Sequence, residues 1–244
     1  MMNNLKRVYR KIYALAKGGR PYVESYAQTG EDVITYFIFK NILQKPTFTY
    51  FDIGAHHPTY LSNTYLFYKA GMRGVSIEPD PILHSELTIT RPEDRNLNVG
   101  VCFSQNDNVA EKLDFYIMSV RTLNTFSKQE AERLDAEGTY RIKEVKKIPV
   151  VHIHQLFRDY FVPDFLSIDV EGLDFEILKS MDLSQYRPNV ICVETAEFDP
   201  VPPGKKEYEA IDYLKSCDYI VYADTFNNTI FIDQQYLKSL YPAK

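Results

Sequence analysis

The sequence predicts an α/β protein: a Rossmann-like, doubly wound fold with a mostly parallel central sheet and a C-terminal antiparallel hairpin. Three observations carry this expectation. Residues 48–53 are apolar and β-favouring and break at Gly54; a helix-capping Ser62-Asn63-Thr64 follows, then a second strand over 73–77 that ends in Glu78. The same grammar of apolar strand, acids, glycine and helix recurs in Phe165-Leu166-Ser167-Ile168-Asp169-Val170-Glu171-Gly172 and the residues after it. Near the end, residues 219–223 and 229–232 flank Asn227-Asn228, which reads as a hairpin.

Composition bounds the function. A chain of 244 residues, 45% hydrophobic and 25% charged, is ordinary for one large soluble domain. The net charge of −5 gives no basic field for nucleic acid. Cys102, Cys192 and Cys217 are scattered and form no C-x-x-C pair, which suggests reduced thiols. Residues 1–20 lack the apolar core of a signal peptide, and no run of 18 apolar residues occurs, so the expected location is the cytoplasm. The expected organisation is a basic amphipathic helix in 1–24, then a single domain over 25–244 with an insert at about 104–147. Leu5, Val8, Ile12 and Leu15 recur at helical spacing among lysines and arginines; such a helix either packs on the domain or makes peripheral contact with an anionic membrane.

In chain order, Thr29 is placed to cap a helix that begins near Glu31 and Asp32, with Tyr26 and Gln28 facing the ligand side. Pro79-Asp80-Pro81 begins a helix through about Thr90. A third strand is expected over 97–103, where Gly100 would let an adenine ring lie against the backbone. A short strand over 113–118 and a charged helix from Lys128 to about Ala136 form the insert, the kind of excursion that walls a substrate site or stays a solvated arm. A fifth strand over 189–194 ends in Glu194; a proline-rich loop over 197–206 and a helix over 206–216 precede the hairpin.

Asp52, Glu78, Asp169 and Glu194 all fall at carboxyl ends of predicted strands, where doubly wound sheets bind ligands. Glu78 lies 24 positions after Gly54, a spacing suited to an acid on a ribose. Gly54-Ala55-His56 carries one glycine where a dinucleotide fingerprint needs three, and His56, His57 and Pro58 follow instead. A pyrophosphate needs bare amides, so the turn points to an adenosine without phosphates. S-adenosylmethionine (SAM) meets that description, and its sulfonium would favour a nearby Asp52 carboxylate.

Several stretches together resemble the FkbM-type SAM-dependent methyltransferases. These are Phe51-Asp52-Ile53-Gly54-Ala55-His56-His57-Pro58, Ser62-Asn63-Thr64-Tyr65-Leu66-Phe67-Tyr68, Gly71-Met72-Arg73-Gly74, Ile77-Glu78-Pro79 and Phe165 to Gly172, flanked by Tyr26 to Asp32 and Thr125-Phe126-Ser127. The resemblance runs from about residue 25 to about 198. It implies a class I methyltransferase fold, SAM as methyl donor and a hydroxyl acceptor on a glycan or small molecule. It also implies SAM contacts at Asp52, Gly54 and Ala55, Glu78 on the ribose, and Gly100 and Val101 beside the adenine. Gln28, His56, Asn63 and Pro79 are counted with the cofactor-binding set, as is Asp169.

A sugar hydroxyl is a weak nucleophile, so a general base is expected. Asp169 and Glu171 are the first candidates, His57 and His154 the next; alternatively, Asp169 orients the methionine amino group and Glu171 caps the helix after Gly172. A divalent metal such as Mg²⁺ on Asp169, Glu194 and a histidine is a further option, without a compact ligand motif. Two rival classes stay open. An NAD(P)-dependent oxidoreductase would need a late Tyr-x-x-x-Lys, whereas the pairs present (Tyr13/Lys17, Tyr36/Lys40, Tyr65/Lys69) all come early. A non-catalytic nucleoside-binding module would bind SAM without transfer.

Overall fold

The computed structural model describes residues 23–103, 112–199 and 204–242. The amphipathic segment expected in 1–24 therefore lies almost wholly outside the described residues. The described helices are α1 (Glu31–Phe37, continued by a wider turn Ile38–Ile42), α2 (Tyr65–Lys69), α3 (Pro81–Thr90), α4 (Lys128–Glu137), α5 (Ile153–Asp159), α6 (Asp174–Lys179), α7 (Glu209–Ser216) and α8 (Gln234–Leu240). The main-sheet strands are β1 (Tyr50–Ile53), β2 (Gly74–Ile77), β3 (Arg95–Leu97), β7 (Phe165–Ile168), β8 (Val190–Glu194), β11 (Tyr219–Asp224) and β12 (Asn228–Asp233). They stand in the order β3-β2-β1-β7-β8-β12-β11, and β12 alone runs against the others. This is the Rossmann-like class I methyltransferase fold, with the antiparallel hairpin inserting β12 between β8 and β11.

Alternation along the strands feeds two cores. Phe51, Ile53, Leu166, Ile168, Ile191 and Val193 pack with α5, α6 and α7 on one face. Tyr50, Phe165, Val190 and Cys192 pack with Phe67 of α2 and with Ile38 and Phe39 on the other. Both faces being covered explains why these parallel strands are buried at nearly every position.

A second sheet, β4 (Gly100–Cys102), β6 (Ile142–His152) and β5 (Lys112–Met118), stands beside the first. The single strand expected over 97–103 is thus two. Asn98 breaks it: its Nδ2 donates to the carbonyls of Glu78 and Pro79 (both 2.9 Å) and turns the chain out of the main sheet. Gly100 then accommodates a protein ring, because a Cβ there would lie 2.4 Å from Phe126.

Smaller departures have local causes. Thr29 does not cap α1: Gly30, at φ 96°, holds the N-cap position, and the Thr29 hydroxyl turns to Glu31. Ser62 provides the polar cap before α2, its Oγ accepting from Tyr65 N at 3.1 Å. α7 starts at Glu209, because Lys205–Lys206 (β10) pairs with Ala196–Glu197 (β9). Asn228 lies in β12 itself, and α8 follows where only a hairpin was expected.

The first half of the sheet is tied by a buried ionic network. Arg91, fully buried after α3, donates to Asp94 (Nε–Oδ2 2.9 Å), Tyr50 Oη (3.1 Å) and Thr64 Oγ1 (2.9 Å). Asp94 in turn accepts from Gly74 N (2.9 Å) and Tyr50 Oη, and Thr64 donates to Asp52. One guanidinium therefore joins β1, β2, α2 and α3. Removing it leaves Asp94 and Asp52 buried without their cation, so Arg91→Ala should cost about 3–5 kcal/mol of stability in urea denaturation; a loss under about 1 kcal/mol would contradict the network's role.

Candidate active site

A cavity of about 510 Å³ opens at the carboxyl ends of β1, β2, β7 and β8, within the range that suits a nucleoside-sized ligand. It is built first by a close fit of backbones. Gly54 has φ 81°, and a Cβ there would lie 1.7 Å from the carbonyl oxygen of Asp169. The space cleared by glycine is filled by the turn after β7 rather than by a ligand. Asp169 N donates to Ile53 O (3.0 Å), completing the β1–β7 pairing.

The turn after β1 spends its own amides. Gly54 N and Ala55 N both donate to Ile77 O (3.0 and 3.1 Å), and His56 N donates to Glu78 Oε2 (2.8 Å). Glu78 also accepts from Asp80 N through Oε1 (2.7 Å). Its carboxylate is thus held by two backbone N–H groups at the end of β2, buried to 4% exposure yet lining the cavity. Burial pushes this carboxyl up to about 8, against the two N–H bonds that favour its ionised form.

The opposite wall is acidic. Asp169, Glu171 and Glu194 line the cavity, and their carboxylates make no hydrogen bond or ion pair among the described residues. Burial raises Asp169 to about 7, with the charges of Asp174, Asp52 and Glu31 adding to it. Glu171 and Glu194 rise well above the usual carboxylate range, by burial first and then by neighbouring carboxylates. The loop that carries Glu171 is fixed: Glu171 has φ 57°, its carbonyl accepts from Thr125 Oγ1 (2.8 Å), and Asp174 accepts from Val170 N (2.9 Å) and Gly172 N (3.2 Å).

The residues singled out in the sequence divide. Gln28, Gly54, His56, Asn63 and Glu78 line the cavity, as do Pro79, Gly100, Val101, Asp169 and Glu171. Asp52, Ala55 and His57 do not. Asp52 is buried in the Arg91 network, its carboxylate held by Thr64, so it is not presented to a sulfonium. Ala55 is buried and enters through its backbone. His57 closes its own turn, Nδ1 accepting from Thr59 N (3.2 Å) and Tyr60 N (3.0 Å). His154 is tied to Asp182 N through Nε2 (2.9 Å), outside the cavity. His56 does reach it; burial lowers its imidazole to about 4, so it is neutral there.

The sequence reading missed the clasp on the insert wall. Asp80, the N-cap of α3, accepts from Ile82 N, from Asn124 Nδ2 (2.9 Å) and from Arg121. Arg121, Asn124, Phe115 and Phe126 of the insert line the same cavity as Glu78. The capping signal before Pro81 was visible in the sequence, but its partners lie about 40 residues on.

The family model for the methyltransferase FkbM domain matches residues 52–221. The chain belongs to the FkbM methyltransferase family. No curated protein sequence matches it significantly. Solved structures similar to this FkbM methyltransferase include a TehB-like SAM-dependent methyltransferase from Corynebacterium glutamicum, 10% identical over 95% of this chain and 98% of that one, with a TM-score of 0.41. The methyltransferase domain of a bacterial Hen1 is 11% identical over 85% and 100%, at 0.40. The rRNA methyltransferase AviRa from Streptomyces viridochromogenes is 12% identical over 92% and 91%, at 0.33. No helix among the described residues is long and apolar enough to cross a membrane.

The FkbM family's methyl donor is SAM, and the cavity's donor set fits it. The turn offers Glu78 for a ribose and no bare amide at Gly54, Ala55 or His56 for a phosphate, and the opposite wall offers carboxylates to a cation.

Glu78 sets a pH dependence. Its folded-state pKa lies above its ordinary 4.5, so between there and about 8 the folded chain keeps a proton that the unfolded chain has lost. Stability should fall as pH rises through that window. The thermal midpoint of ligand-free protein should drop between about pH 5 and about pH 8, and a ligand that binds the ionised carboxylate should flatten the drop, which saturating SAM tests. A midpoint that rises over this range would contradict the assignment.

Proposed function

We propose that this protein transfers the methyl group of SAM to a hydroxyl oxygen, on a sugar of a polysaccharide or glycolipid or on a natural-product alcohol. The observation that carries the reading is the set of unpaired carboxylates, Asp169, Glu171 and Glu194, facing the cavity that Glu78 closes on its other side. Bound there, SAM supplies a methyl carbon already activated by its sulfonium. Glu78 would hold the ribose, and the neutral His56, Pro79 and the insert wall around Phe115 and Phe126, which line the cavity, would enclose the adenosine.

Asp169 lends negative charge at the end of β7. Glu171 takes the acceptor's proton: its backbone is pinned by Thr125 and by the Asp174 turn, and its carboxylate lines the cavity with no hydrogen-bond partner among the described residues. The chain's main contribution would be positional, holding the acceptor oxygen within reach of the methyl carbon. Phe198 and Phe226 add aromatic faces to the acidic wall, a combination that suits the apolar faces and the hydroxyls of a sugar ring.

The proposed acceptor is therefore a glycan or small molecule and not a nucleic acid, and the proposed compartment is the cytoplasm, consistent with cysteines that form no disulfide. An NAD-dependent oxidoreductase finds less support, because the first three amides after β1 are already spent and cannot cradle a pyrophosphate.

With methyl-labelled SAM and a crude glycan pool, Glu171→Gln should lower turnover roughly 10²–10⁴-fold while SAM affinity stays unchanged. Equal labelling by both proteins would remove Glu171 from the role of base. Binding of SAM with no label on any hydroxyl acceptor would favour a non-catalytic module.

A further inference from the structure

We propose that Asp169, Asp174, Glu194 and Asn228 form a site for one hard divalent cation at the inner edge of the cavity. Asp169 follows β7, Glu194 ends the neighbouring strand β8, and Asp174 opens α6. Each offers a carboxylate oxygen, and the three oxygens lie within 4.8 Å of one another. Oxygens on opposite sides of one calcium-sized ion are about 4.6–5.2 Å apart, and those around Mg²⁺ about 4 Å or less. One ion can therefore touch all three.

The second observation comes from the adjacent strand. Asn228 is paired with Glu194 in the β8–β12 ladder, and directly opposed residues stand on the same face of a sheet. Both line the cavity. Asn228 is 3% exposed; its Nδ2 donates to Glu31 Oε1 (3.2 Å), and its Oδ1 has no partner. A buried amide oxygen left without a donor beside unpaired carboxylates is an unfilled acceptor position, and a cation fills it without needing a donor hydrogen.

The outer groups are also in place. Val170 N and Gly172 N orient the Asp174 carboxylate, and Glu31 fixes the Asn228 amide with its oxygen turned away from that acid. The nearby cations are engaged elsewhere: Arg133 with Glu130 and Glu137, Lys206 with Asp224. The set holds oxygen alone, with no histidine or thiolate, which selects the Mg²⁺, Mn²⁺ and Ca²⁺ class over zinc.

The test is a Mn²⁺ titration of chelator-treated full-length protein without SAM or acceptor, following free Mn²⁺ by electron paramagnetic resonance. One saturable site is expected. Glu194→Gln and Asn228→Ala should each weaken it by about 10–100-fold while the metal-free proteins melt as cooperatively as wild type. Should Glu194→Gln fail to fold, Asn228→Ala carries the comparison alone. Absence of saturable binding, or equal binding by the variants, would overturn the site. So would expulsion of Mn²⁺ by added SAM, which would hand these oxygens to the methionine ammonium. Because the titration contains no methyl donor at the start, its failure leaves the methyl-transfer reading standing, and a protein that binds Mn²⁺ but labels no acceptor would fail only that reading.

Discussion

The site depends on the contact between two turns. β1 and β7 are adjacent, parallel and in register, so their carboxyl ends leave the sheet at the same level. Gly54 takes a left-handed conformation and leaves room for the Asp169 carbonyl, which no other residue type could do without moving one turn. From this seam the rest follows. The chain after Gly54 curls towards Glu78, and the chain after Asp169 carries Glu171 and Asp174, so Glu78 stands on one wall of the cavity and the acids after β7 on the other.

Two devices hold those walls apart without filling the space between them. Behind β1, the Arg91 guanidinium absorbs the charges of Asp94 and Asp52 in a fully buried network, which fixes the strands that end in Gly54 and Glu78. In front, Asp80 binds Arg121 and Asn124, which docks the insert against the start of α3. A chain with a modest net charge of −5 thus keeps a strongly acidic interior in one place by spending its buried arginine elsewhere.

The sheet was legible in the sequence because its strands are short apolar runs cut by glycine or acid, a signal local to a few residues. The places of Glu78 and Asp169 on the cavity were legible for the same reason, since a strand's carboxyl end marks the ligand edge of such folds. Residues whose roles come from distant partners were not. Asp52 occupies the position expected of a ligand contact, yet its environment is decided by Arg91 and Thr64, 39 and 12 residues away. Gly100 reads as an opening for a ligand, but Phe126 takes the space. Asn98 splits a strand through bonds to carbonyls 20 and 19 residues earlier. Each is a contact across the chain, and periodicity carries no record of it.

The central claim is that the cavity selects a positively charged adenosine free of phosphates. Competitive equilibrium binding of SAM against ATP and NAD, in wild type and Glu78→Ala, tests it most directly. The structure predicts one SAM per chain, no displacement by either phosphorylated nucleotide, and a loss of SAM affinity in the variant. Binding of ATP or NAD as tight as that of SAM, or SAM binding untouched by the loss of Glu78, would contradict it.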